Sequence, residues 1–337
     1  MSELKDAGTL IRLAYQGLLT MGVDADAVLV RSGLKPEQLY DSQLRTSHAA
    51  QMLFWKAAEE LSLDTDIGLH LGEHMPLFKG QILEYLFFSS ANFGEGLKRM
   101  LNYQRLISDA IQATVVDATP QAYITFDFPA MPLRHLIECM TSVWIKFLKF
   151  VGEDRFKPVR IDFRHSISSN THDYLRVYGC EVMANQSENR IYFPHETLSY
   201  RSLHTQPELF LVHEQIASQQ LASIKRQDLI NDVQQHVASL LESGEVSLET
   251  VAKRLSINPR NLRSQLAEAG TSFSQVLNDY RHFLAKRLLA KTNESIAEIV
   301  YLTGFSEPST FYRAFKRWEG LTPVEYRRRK QDGVASH

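Results

Sequence analysis

The chain has 337 residues, too long for one ordinary core, and at roughly 150 residues per domain it should hold about two. With 44% hydrophobic and 23% charged residues and only 11 prolines, its composition excludes long disorder and low-complexity tracts. The net charge of −2 argues, taken whole, against a nucleic-acid partner, but from Lys225 onward 17 Lys and Arg face 13 Asp and Glu, a net of +4, and before it 20 face 26, a net of −6. A basic tail on an acidic remainder fits DNA binding by the tail and another task for the head.

Two cysteines, Cys139 and Cys180, exclude a disulfide framework and a four-cysteine metal site. Each reads as a small buried hydrophobe rather than half of a redox pair, and a reducing compartment is expected. The first residues, Met-Ser-Glu-Leu-Lys-Asp, lack the apolar core of a signal peptide, and Lys146 and Lys149 interrupt the apolar stretch around Trp144. The expectation is a cytoplasmic protein with no membrane partner.

Residues 4 to 110 read mostly as helices, because apolar positions recur three and four apart (Leu10, Leu13, Ala14; Leu83, Leu86, Phe87) between turn signals such as Ser32-Gly33 and Leu34-Lys35-Pro36. Within this stretch His70-Leu71-Gly72-Glu73-His74 matches an H-x-x-E-H zinc pattern. Gly72 weakens the helix such a site needs, Pro76 ends it soon after, and no downstream carboxylate ligand presents itself. Phe93-Gly94-Glu95-Gly96 lacks the next glycine and the preceding strand of a dinucleotide loop and instead opens a helix. The pattern then changes to β-rich runs at Ala113 to Asp117 and Ala122 to Phe128 around Thr119-Pro120, a hairpin. Arg134 to Val151 returns to a long amphipathic helix, and Val159 to Phe163 and Arg190 to Phe193 read as strands. The N-terminal part, residues 1–215, is thus a mixed α and β domain; a linker is placed at 216–231, and an all-α domain at 232–330.

The all-α part carries the same grammar twice. Ser247 suits an N-cap, and Leu248, Val251, Ala252 and Leu255 line one face of the helix it opens. After the turn Ser256-Ile257-Asn258, Asn258 caps a second helix with Pro259 in its first turn, and Gly270 ends it. Leu262 and Leu266, four apart, face inward, which leaves Arg260, Asn261, Arg263 and Ser264 outward near the N-terminal end. Arginine bonds guanine bidentately and Asn reads adenine, so this face suits the edges of bases in the major groove; a solvated polar face is the bland alternative. About fifty residues later Ser295 and Glu298 form a capping box, Gly304 marks a turn, and Ser306 is placed as the cap of the next helix. There Phe311 and Phe315 take the inward positions, while Pro308, Ser309, Thr310, Arg313 and Lys316 form the start and outer face, and Gly320 is the stop. One helix, Ser274 to Ala290, joins the two helix-turn-helix units and at 1.5 Å per residue spans about 26 Å. The basic run Arg327-Arg328-Arg329-Lys330 serves either as a solvated end or for phosphate contact.

The stretch Ile296 to Arg327 closely resembles the second half of the AraC/XylS DNA-binding domain, with Gly304-Phe305, the run Phe311 to Lys316, and Thr322-Pro323 with Tyr326-Arg327 at the family's spacing. The resemblance covers about residues 232 to 330. Val300 departs from the family's usual Ala, and Ser264 stands where a second arginine is common, which makes it a weaker base reader. Leu18 to Leu39, Asp66 to Glu73 and Phe93 to Ser108 resemble the family's arabinose-binding-type N-terminal domain. That implies an effector-binding, self-associating domain of mixed α and β structure rather than a cupin barrel, whose effector need not be a sugar, and it assigns Gly68 to Glu73 to a structural turn.

The implied protein is a DNA-binding transcription regulator, with no cofactor, whose partners are double-stranded DNA half-sites, a small-molecule effector, a second copy of itself and, as a further candidate, RNA polymerase. Among the aromatics Phe87, Phe88, Tyr103, Trp144 and Phe147, mainly core, the residues placed at an effector pocket are Phe88, Tyr103, Arg105 and Trp144. Two other classes remain open: a metal-dependent enzyme built on His70, Glu73 and His74 with a DNA-targeting tail, and an architectural DNA-binding protein without an effector.

Overall fold

The computed structural model describes residues 3–168, 170–202, 207–241 and 246–334. It divides into two compact units, Glu3–Leu221 and a second from Ala222.

In the first unit β1 (Lys5–Ala7) leads into α1 (Gly8–Thr20), then α2 (Ala25–Arg31), β2 (Arg45–Ser47), α3 (Ala50–Ser62), α4 (Ile67–His74), α5 (Ile82–Phe88) and α6 (Phe93–Asn102). The hairpin of β3 (Gln112–Val116) and β4 (Gln121–Asp127) follows, then α7 (Arg134–Val151), β5 (Arg160–Asp162), α8 (Thr171–Tyr178), β6 (Glu181–Met183) and β7 (Asn189–Pro194). β1 and β2 pair antiparallel, and the larger sheet runs β3-β4-β7-β5-β6, antiparallel except between β5 and β6. Alternation places Ala122, Ile124 and Phe126 of β4 in the core, as the period of a strand requires. They share it with Leu136, Ile137, Met140, Val143, Phe147 and Leu148 of α7.

Residues Gly68 to Glu73 are helical, not a turn. The two glycines that lower helix propensity here serve packing. A Cβ on Gly68 would come within 2.4 Å of the His135 backbone, and one on Gly72 within 2.7 Å of Ser142, so only glycine lets α4 lie this close to α7. Residues 216–231, taken as a linker, fall inside one continuous helix, α9 (Pro207–Leu241), whose Ala217 joins the first core.

The second unit is helical among its described residues. Val233, Val237, Leu240 and Leu241 of α9 pack with α10 (Leu248–Arg254) and α11 (Pro259–Glu268) in one core. α13 (Ile296–Leu302), α14 (Pro308–Glu319) and α15 (Pro323–Val334) build another. Between them runs α12 (Phe273–Lys291), which gives Val276 to the first core and Ala285 and Leu289 to the second. At about 100° per residue, Val276 and Ala285 point in opposite directions, so the two ends of one helix are buried on opposite faces.

Candidate functional site

In the first helix-turn-helix unit, Ser247 Oγ accepts from the Thr250 backbone N–H at 3.0 Å and starts α10. The chain turns at Ser256, held at φ +56°, and Asn258 Oδ1 accepts from the Arg260 N–H at 2.9 Å with Pro259 in the first turn of α11. Leu262 and Leu266 are wholly buried, whereas Arg260, Asn261, Arg263 and Ser264 are exposed. Ser264 Oγ donates to Glu268 Oε1 at 3.2 Å, which ties it along its own helix.

The second unit repeats this plan with one more residue in its turn. Ser295 Oγ accepts from the Glu298 N–H at 3.0 Å, and Gly304, at φ +69°, stands where Ser256 stands in the first unit. From there to the proline that opens the next helix the first unit has Ile257 and Asn258, the second Phe305, Ser306 and Glu307. The cap position of α14 therefore falls on Glu307, not Ser306, and no side chain caps it. Phe311 and Phe315 are wholly buried, and Pro308, Ser309, Thr310, Arg313 and Lys316 are exposed. Arg313 lies along the helix, its Nε donating to the Ser309 carbonyl at 3.4 Å.

α12 holds the second unit by polar contacts. Arg281 Nη2 donates to the Gly304 carbonyl at 2.6 Å, and its guanidinium lies 4.6 Å from the Phe305 ring centre. Glu319, at the end of α14, meets His282 Nε2 at 2.7 Å and Lys286 Nζ at 2.9 Å. Partial burial raises the Glu319 carboxyl, but the hydrogen bonds from Lys286 and His282 outweigh it and leave it below the usual carboxylate value. In the basic run Arg327 Nη2 donates to the Glu294 carbonyl at 2.6 Å, while Arg328, Arg329 and Lys330 are exposed.

In the N-terminal compact unit, Glu3–Leu221, an apolar cavity with about 50 Å³ of free space lies among α1, α5, α6 and α7. Trp144 lines it; Phe88, Tyr103 and Arg105 do not. Phe88 packs edge-on against Phe150 at 5.7 Å. Tyr103 Oη donates to Glu214 at 2.7 Å, and burial together with that bond pushes its hydroxyl up to about 12. Arg105 Nε pairs with Asp109 at 2.8 Å. The four residues placed at an effector pocket thus separate into one cavity wall and three that pack or pair elsewhere.

Residues 22–202 match the family described as the arabinose-binding domain of AraC transcription regulator, N-term, and residues 251–329 match a helix-turn-helix domain. The chain belongs to the AraC family of transcription regulators. This regulator is 28% identical to the ornithine utilization regulator of Pseudomonas aeruginosa, over 94% of this chain and 96% of that one. It is 34% identical to an uncharacterized HTH-type transcriptional regulator of Mycobacterium tuberculosis, over 91% of this chain and 92% of the other. Among solved structures, the transcriptional regulator CdpR of Pseudomonas aeruginosa aligns over 94% of this chain and 98% of its own at 21% identity, with a TM-score of 0.42. The matched domains and relatives are transcription regulators, which sets aside the metal-dependent enzyme.

In this AraC-family regulator the zinc-pattern residues are engaged in folding contacts. His70 Nδ1 meets Asp64 at 2.7 Å, His74 Nδ1 donates to the His70 carbonyl at 2.8 Å, and Glu73 pairs with Arg176 of α8. Among the described residues no group of three His, Cys, Asp or Glu is placed to hold a metal. Cys139 and Cys180 are both buried, and burial pushes both thiols up to about 12, far from the thiolate that redox chemistry needs. Among the described residues no helix is long and apolar enough to cross a membrane.

Proposed function

We propose that this regulator binds paired half-sites of double-stranded DNA in a sequence-specific manner, under the control of a small molecule taken up by residues 1–215, which also join two copies of the chain. Arg260, Asn261 and Arg263 on α11 read base edges, with Ser264 in a lesser role; Pro308, Ser309, Thr310 and Arg313 on α14 contact the neighbouring groove, and Lys316 contacts phosphate.

The observation that carries this reading is the twofold pairing of a wholly buried i, i+4 pair, Leu262 with Leu266 and Phe311 with Phe315, with an exposed polar face that holds arginine, Arg260 in the first turn of α11 and Arg313 midway along α14. A helix presented in this way offers its N-terminal side chains to a major groove about 12 Å wide. Control by an effector requires that the small molecule bind two arrangements of the dimer with different affinity.

Selection of bound duplexes from a random pool by the full chain tests the proposal. Enrichment of a motif made of two repeated half-sites is expected. Recovery of unenriched DNA, with affinity set by salt alone, contradicts sequence-specific reading and leaves an architectural protein.

A further inference from the structure

The cavity among α1, α5, α6 and α7 is lined by Leu10, Phe78, Leu83, Met100, Trp144 and Phe147, with further aliphatic side chains of the same helices. Besides the indole N–H of Trp144, Gln104 brings the one polar side chain among its lining residues, and each end of its amide bonds to Ala113. Gln104 Oε1 accepts from the Ala113 N–H at 2.8 Å, and Nε2 donates to the Ala113 carbonyl at 3.3 Å. Apart from the Trp144 indole N–H and the second amide hydrogen of Gln104, the wall offers no nitrogen or oxygen of a side chain to a ligand. A sugar or an amino acid in it would bury several hydroxyls or two charges without partners, each at a cost, whereas hydrocarbon leaves water at a gain in proportion to its area.

We propose that the effector of this regulator is an apolar molecule, a hydrocarbon chain or ring, seated against Trp144 in this cavity. The inference rests on the reading of residues 1–215 as effector-binding and names the chemical class. A ligand of several carbons needs more room than this free space gives, so the helices must part to admit it. A second cavity, with about 40 Å³ of free space, shares Leu10 and Met140 with the first, and Met140, unbranched and flexible, divides the two. That second cavity is more polar, lined by Asp6, Ser32, Thr46, Ser47 and Gln51 as well as Trp55, whose indole N–H is buried without a partner, so a hydroxyl at one end of a chain is accommodated there.

The test titrates the full chain with 1-octanol, L-arabinose and L-ornithine and follows tryptophan emission, melting temperature and affinity for the selected DNA. Octanol is expected to change the emission saturably and raise the melting temperature. The emission change should shrink in Trp144→Phe, and binding should weaken at least tenfold in Val143→Phe, which fills the cavity. Leu83→Phe is a second filling variant should Val143→Phe fail to fold. An octanol response that never saturates, or that both filling variants leave intact, overturns the inference. If arabinose or ornithine binds and alters DNA affinity while octanol does not, an effector exists but its class is polar, and the inference fails alone. If no probe of either class binds or alters DNA affinity, the inference fails together with the effector reading beneath it.

Discussion

Arg281 on α12 donates to the Gly304 carbonyl at 2.6 Å while its guanidinium covers the Phe305 ring, so one side chain fixes the turn of the second helix-turn-helix unit to the helix that joins both. A charged hydrogen bond in a half-buried setting contributes about 1.5–3 kcal/mol. Arg281→Met keeps the stem and removes the donor. Chemical denaturation should show a loss of that size, and DNA affinity should fall although Arg281 is not among the residues placed at the bases.

Two glycines at helix ends separate backbone strain from packing. Gly270 and Gly304 both have left-handed backbones, but a Cβ on Gly270 meets nothing within 4 Å, whereas on Gly304 it would stand 3.1 Å from Leu241. Gly270→Ala should cost about 1–2 kcal/mol, the left-handed penalty alone. Gly304→Ala should cost about 1 kcal/mol more, because Leu241 is packed and must give. Equal losses in denaturant titrations would contradict the contact.

The Asp6 carboxylate, almost wholly buried, accepts from His48 Nδ1 at 2.9 Å, Gln51 Nε2 at 2.9 Å and Ser108 Oγ at 2.6 Å. Burial raises this carboxyl, but the bonds from His48 and Ser108 outweigh it and hold it below its ordinary value. A depressed carboxyl stabilises the fold fully above its unfolded value of about 3.9, and the contribution is lost as pH falls through the lower folded value. Asp6→Asn should therefore destabilise by about 1–3 kcal/mol at neutral pH. Its deficit against the parent chain should shrink below about pH 4, which melting curves across pH 3 to 7 would show.

α12 has 19 residues, or about 28 Å at 1.5 Å per residue, shorter than the roughly 34 Å between successive major-groove faces of straight DNA. For both recognition helices to occupy adjacent turns, either the helices tilt in their grooves or the duplex bends toward the protein, and the bend is the outcome expected here. Circular-permutation and phasing gels on a selected site should report a bend. Protection of two adjacent groove turns on straight DNA would refute this geometry.

Much of this was legible because long helices with inward apolar spacing announce themselves. Arg134 to Val151 reads from sequence with the bounds it has in the fold, and the outward placement of Arg260 and Arg263 follows from the spacing of Leu262 and Leu266. β6 and α8 did not show: β6 has three residues with one partly buried position among them, and α8 is two turns, whereas β5, equally short, showed through the alternation of its flanks. α4 was masked by Gly68 and Gly72, whose poor helix propensity is overridden by contact with α7, something only the tertiary structure holds. Ser306 looks like a cap by type, but the extra residue in the turn moves that role to Glu307. The cavity was the least legible feature. Trp144 faces it while Tyr103 and Arg105 turn to Glu214 and Asp109, and convergence of side chains from four helices leaves no local signal.

The claim on which the rest depends is that α11 reads bases. It is tested most directly by mobility-shift titrations of Arg260→Ala and Lys316→Ala, at fixed salt, over a set of duplexes that vary one position of the selected site at a time. Arg260→Ala should cost about 1–3 kcal/mol on the preferred sequence and flatten the preference at one base position, whereas Lys316→Ala should weaken all duplexes alike. A uniform loss for Arg260→Ala across every duplex would contradict the account.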